Sequence, residues 1–318
     1  MVKIFLKISF AFFLVFFLLK SGRLDLSLIG QLFKVSNYWM LGALIFPLIP
    51  LITSLRWILL VNQDSTKKFP YIVGLKLTWI GLFFNNFLPG AVTGDLIKLG
   101  YAKSINSTLS KTHLFTVMFA DRVFGVMGLL FVMGFFTIIQ FHDLIAISPL
   151  VSKFVYFNLS LFLGVIVFFA FLFLPFKGQT FLKCYLKKVP IVGEMFGRLL
   201  TQVWNIGKSK STVLKVISLS ILVQFLGILA FWFLIFPFIL ETSLSFYSFM
   251  TLAPMGFMAI AIPISPSGLG VGHVAFEFLF ESYGVEKGAS LFNLFFLFQV
   301  AVNALGAIPY FRVPKKMI

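Results

Sequence analysis

The chain has 318 residues, 60% of them hydrophobic and only 11% charged, with a net charge of +16. A soluble domain carries about 25% charged residues, so the composition excludes an ordinary soluble fold. It leaves an all-α polytopic membrane protein, a single integral domain over residues 1–318. The positive charge is read as cytoplasmic loop retention and contact with anionic lipid. Nucleic acid is not an expected partner, because no basic run is interleaved with an aromatic platform. The single cysteine, Cys184, allows no intrachain disulfide, and His113, His142 and His273 lack metal-ligand spacing. No metal and no cofactor are expected.

In chain order, Lys3 and Lys7 precede an apolar run over 8–19. The following Lys20-Ser21-Gly22-Arg23 is not a small-x-small cleavage site, so an uncleaved first helix is expected over 4–20. A second helix over 38–61 should kink at Pro47 and Pro50, carries Arg56 near its end, and starts with the interfacial pair Tyr38 and Trp39. The apolar stretch 75–97 is interrupted at Asn85-Asn86-Phe87-Leu88-Pro89-Gly90 and flanked by Lys67, Lys68, Lys98, Lys103 and Lys111. Basic flanks on both sides predict a re-entrant hairpin that enters and leaves from the cytoplasm, turning near Pro89-Gly90.

A long helix over 114–140 carries Asp121-Arg122, and a helix over 154–175 returns inside. Residues 177–215 are rich in Lys and Arg against one acid, Glu194, and place Ile191, Met195, Leu199, Val203 and Ile206 on one helical face. This is read as a cytoplasmic amphipathic segment on the inner leaflet. A helix over 216–240 exits, a second broken segment over 246–282 dips in from outside, and a last helix over 289–311 ends at Arg312, Lys315 and Lys316. The expected architecture is six spanning helices and two broken-helix hairpins. Both termini are cytoplasmic in the cell (inner or plasma) membrane. Residues 1–140 and 154–311 form an inverted repeat.

The two breaks are the expected binding site. Half-helices ending in the membrane aim N–H groups and a positive dipole end at a cavity, which suits an anion. Asn85, Asn86, Pro89, Gly90, Thr93, Gly94 and Asp95 belong to the first break, and Ser265, Pro266, Ser267, Gly268 and Gly270 to the second. Arg56 and Arg122 are the candidates for holding a phosphate, since guanidinium forks onto phosphate oxygens. Asp121 is expected to make a structural ion pair with other groups, because neighbours on a helix do not face each other. Lys98 is read as a snorkelling interface residue. His273 is read as a proton-coupled switch or as a buried neutral histidine bonded to a backbone carbonyl. Glu277 lies four residues on and extends a polar stripe that would line the cavity. The 45 phenylalanines are taken as packing and lipid-facing residues.

FFNNFLPGAVTGDLIKLGYA resembles the FNNFLPGSxGGDxxR signature of the lysylphosphatidylglycerol synthetase transmembrane-region family, or flippase-like domain. ADRVFGVMGLL resembles that family's next helix, and PISPSGLGVGHVAFEFLF its second signature. Asn85, Asn86, Pro89, Gly90, Gly94, Asp95, Asp121, Arg122, Pro266, Gly268 and Gly270 are the matching positions. Lys98 stands where Arg is common, Ser267 replaces a Gly, and Gly272-His273 departs from an expected acid, which Glu277 would replace. The resemblance implies a lipid translocase without the soluble synthase domain, and no nucleotide motif is present. Its partner would be a membrane phospholipid or lipid-linked substrate. A homo-oligomer or a lipid-modifying enzyme partner is left open. The alternatives are an intramembrane enzyme on a lipid or polyprenyl-linked substrate, a carrier for a soluble anion, or a non-catalytic partner of a lipid-modifying enzyme.

Overall fold

The computed structural model describes residues 27–35, 37–63, 68–87, 92–147, 149–173, 178–181, 184, 201, 204–205, 207–261, 271–285 and 287–312. The expected first helix, most of the basic segment 177–215 and the two turns carrying Pro89-Gly90 and Ser265–Gly270 lie outside them. The described chain is helical throughout: α1 (Ser27–Val35), α2 (Tyr38–Ile45), α3 (Leu48–Val61), α4 (Tyr71–Phe87), α5 (Thr93–Ile105), α6 (Lys111–Ile139) and α7 (Phe141–Ile147). These are followed by α8 (Pro149–Leu172), α9 (Lys210–Ile235), α10 (Phe246–Ala261), α11 (Val271–Glu281), α12 (Gly288–Ala304) and α13 (Ala307–Arg312).

Among the described residues, five segments are long and apolar enough to cross a membrane: Tyr38–Val61, Lys111–Ile139, Val151–Leu172, Lys210–Ile239 and Gly288–Arg312. They match five of the six expected spans; the sixth, 4–20, is outside the described residues. The helix is interrupted where the kink was expected: α2 stops at Ile45 and α3 restarts behind Pro47. Pro50 then falls in the first turn of α3, where a missing N–H costs nothing within the helix.

The helix α6 is the hub. It packs on α9, α10, α8, α3 and α5. Its first turn is capped by Ser110, whose Oγ accepts from the His113 N–H at 3.0 Å. Close packing needs small residues where lipid gives no hydrophobic drive between helices. At Gly128 a Cβ would sit 2.6 Å from the Ser220 backbone of α9, so only glycine allows that approach.

Two helix pairs are shorter than the roughly 20 residues a span requires. The pair α4 and α5 has 17 and 13 residues, and α10 and α11 have 16 and 11. In each pair the helices pack on one another. A phenylalanine core lies between α9, α10, α11 and α12, where the Phe231 ring touches those of Phe249, Phe276, Phe280 and Phe295. Phe119, Phe157 and Phe181 are exposed, so the phenylalanines divide between core and periphery as expected.

Candidate functional site

The first hairpin closes on a glycine contact. A Cβ on Gly94 would lie 2.0 Å from the Gly81 carbonyl oxygen and 2.6 Å from the Asn85 nitrogen. With no side chain there, α4 and α5 touch backbone to backbone. Asn85 fastens the contact: its Oδ1 accepts from the Gly94 N–H at 2.8 Å, and its Nδ2 donates to Asp95 Oδ1 at 3.4 Å. The side chain thus satisfies an N–H of the first turn of α5 that has no helical partner. Asn86 and Thr93 are half-buried beside it.

Asp95 also accepts from Arg122 of α6, through Nε at 3.0 Å and through Nη2. One residue earlier, Asp121 turns to the opposite partner: the Arg56 Nε of α3 donates to its Oδ1 at 2.7 Å. Arg56 Nη1 donates to Ser220 Oγ of α9 at 3.2 Å. Gly125, one turn beyond Asp121, leaves room for the guanidinium, 3.5 Å from where a Cβ would be. Arg56 is buried, 6% exposed, while the Arg122 side chain is 42% exposed. Of the two arginines expected to hold a phosphate, Arg56 is therefore committed to the structure and Arg122 is the accessible one.

Lys98 corrects the sequence reading. It does not snorkel to an interface; it is 5% exposed, with Nζ 4.2 Å from the centroid of Trp57. Burial costs its charge hydration; the nearby Asp121 and Asp95 offset part of that cost, and Arg56 opposes them. A cation over an indole face gains about 0.5–2 kcal/mol, and the two carboxylates add to that. Among the described residues, three cations, Arg56, Lys98 and Arg122, thus stand against two carboxylates, Asp95 and Asp121, with one positive charge in excess. Asp121 is ten residues from Lys111, about 15 Å along the helix, so the cluster is well inside the span of α6.

A cavity of about 260 Å³ lies between α2–α3, α4, α9, α10 and α12. Leu82 reaches it from the first short pair and Ile260 from the second. Thr53, Gln224, Gln299 and Asn303 supply polar groups in an otherwise apolar wall. Gln224 ties the cavity to the charge cluster, since its Nε2 donates to the Gly125 carbonyl at 3.0 Å. Sequence reasoning missed Trp57, Ser220 and Gln224. For Trp57 the signal was its position next to Arg56; for the other two there was none before α9 was seen to face α6.

The second short pair is held differently. His273 Nε2 is 2.6 Å from the Asn293 side-chain oxygen of α12. Glu277 Oε2 accepts from the Ala289 N–H at 2.6 Å and closes the first turn of α12. The structure brings Asn85, Gly94, Asp95, Asp121, Arg122 and Arg56 together and directs His273 and Glu277 to α12. Ser265, Pro266, Ser267, Gly268, Gly270, Pro89 and Gly90 are outside the described residues. Among the described residues no group of three His, Cys, Asp or Glu is placed to hold a metal.

The chain is 23% identical over 274 residues to the UPF0104 membrane protein PH1989 of Pyrococcus horikoshii, covering 80% of each chain. No solved structure matches. Residues 4–306 match the family model described as the lysylphosphatidylglycerol synthase TM region. The chain, a multi-pass membrane protein, belongs to the lysylphosphatidylglycerol synthase TM region family.

Proposed function

We propose that this protein is a lipid translocase that moves a phospholipid or lipid-linked headgroup between the leaflets of the cell membrane. The observation that carries the reading is the charge cluster: three cations against two carboxylates, one of the cations exposed, beside a cavity that both short helix pairs reach. An excess cation at this depth is costly, about 2.5–3.5 kcal/mol on insertion scales, unless an anion completes it. A headgroup phosphate is such an anion, and the Arg122 fork is its contact.

In this reading α4–α5 and α10–α11 are re-entrant hairpins inserted from opposite faces, with both termini cytoplasmic as the basic flanks suggest. Phosphate competes with Asp95 for Arg122. When it wins, the ion pair that fastens the first hairpin to α6 is released, and Asn85 alone holds Asp95. Movement is passive, or coupled to a proton or to the membrane potential.

The test is leaflet exchange of labelled phospholipids in proteoliposomes of the purified chain, beside an Asn86→Ala/Arg122→Ala variant. Headgroup-selective exchange that the variant loses is the expected result. Exchange that the variant retains would remove Arg122 from the path, and absence of exchange across a panel of headgroups, with and without a gradient, would favour a partner subunit of a lipid-modifying enzyme.

A further inference from the structure

A second cavity, larger than the central one, lies on the far side of the first hairpin. It has a volume of about 450 Å³ and is bounded by α4, α5 and the turns around α13. This falls within the roughly 300–1,000 Å³ typical of ligand sites. Among the described residues its charged lining consists of Lys76 and Arg312, both cations, and no acid. Among the described residues neither cation has a carboxylate partner, since the ion pairs there join other residues. The rest of the wall is apolar or aromatic and includes Trp79, with Leu305 and Ile308 about half exposed along it. Tyr101 adds a hydroxyl.

An aromatic and aliphatic groove carrying two cations that have no carboxylate partner among the described residues matches one molecule in its surroundings: a phospholipid with net negative charge. An acyl chain covers Leu305 and Ile308, and Lys76 and Arg312 neutralise the head. Basic pockets between membrane helices are known to select such heads. We propose that the groove between α4, α5 and α13 is a separate binding site for an anionic glycerophospholipid, with its phosphate held by Lys76 and Arg312. The inference goes beyond the translocation reading and does not depend on it. It needs only a membrane-embedded chain, and its occupant braces the outer face of the hairpin whose inner face carries the charge cluster.

Trp79 reports on the site directly. The full chain in mixed micelles is titrated with bromine-labelled phosphatidylglycerol or phosphatidylcholine, and the fluorescence that a Trp79→Phe variant loses is assigned to Trp79. Each basic residue near an anionic lipid contributes about fivefold in binding. Phosphatidylglycerol should therefore quench Trp79 at a mole fraction lower than phosphatidylcholine by on the order of tenfold. In Lys76→Gln/Arg312→Gln, substitutions at exposed positions, the two lipids should quench alike. Native mass spectrometry gives a second readout that needs no tryptophan variant: the unsubstituted chain should retain one more phosphatidylglycerol than the double variant. Equal quenching by both lipids in the unsubstituted chain would overturn the proposal, as would a preference, or a retained lipid, that survives the double substitution. Failure of leaflet exchange would leave these readouts unchanged, so the two ideas fail separately.

Discussion

The two short helix pairs have similar shapes and different fastenings. The first, α4–α5, is joined by a backbone contact at Gly94 and tied to its surroundings by Asn85, Asp95, Arg122 and Lys98. The second, α10–α11, is embedded in rings: Phe276 stacks on Phe292, Phe257 meets Phe276, and His273 and Glu277 of α11 each make a polar contact to α12. Ring packing has no charge to exchange and responds to volume alone. An ion pair at a half-exposed arginine can be traded for another anion. On the proposed function, the first pair is the one that responds to a ligand, and the second is the wall it works against.

The sharpest way to break the comparison is at the buried end of the charge cluster. Asp121→Ala leaves Arg56 without its carboxylate in a buried setting, and such losses cost about 3–5 kcal/mol. Thermal unfolding in detergent should show a large fall in Tm, and an Arg56→Met/Asp121→Leu variant should recover much of it. A fall of the same size in the double variant would mean that the pair is not what matters at this site.

Next in size is Gly94→Ala. Its Cβ meets a backbone carbonyl that cannot turn aside, so the helices must part, at about 1–3 kcal/mol. Gly256→Ala in the second pair meets the Phe276 ring instead, which has a χ1 and χ2 to adjust. The first substitution should lower Tm more than the second, and the reverse order would contradict the backbone-contact account.

Glu277→Ala removes the acceptor at the start of α12 and should cost about 0.5–2 kcal/mol, as lost helix caps do. Lipid exchange should not change, and a loss of exchange with an unchanged Tm would return Glu277 to the lining role. Smallest in stability is Arg122→Gln. Half-exposed pairs contribute about 0–1 kcal/mol, so Tm should barely move while leaflet exchange falls.

Much of the fold was legible in the sequence, because hydropathy and length are enough to mark a span. Tyr38–Val61 with its break at Pro47, and the long run Lys111–Ile139, were read from apolar length and one ring constraint. The site was legible in part. Asn85, Gly94 and Asp95 were found because Asn, Gly and Asp are out of place in an apolar segment. Arg56 and Arg122 were named as candidates too, but the pairing of Arg122 with Asp95 and of Arg56 with Asp121 was not legible, since it joins distant helices and no local spacing announces it. Lys98 was misread because a lysine just past a hydrophobic run ordinarily reaches for water. Here packing buries the charge instead, and an indole and two carboxylates offset part of the cost of leaving water. His273 and Glu277 share a face of α11, as their spacing required, but spacing does not say what the face meets.

Asp121 and Arg122 are consecutive, about 100° apart around the axis of α6, and each is fastened to a different element: one to α3, the other to the first hairpin. The helix is therefore a shared shaft with two cranks set at an angle. A turn of α6 about its own axis cannot tighten one linkage without displacing the other, so α3 and the hairpin are geared together through a single dipeptide.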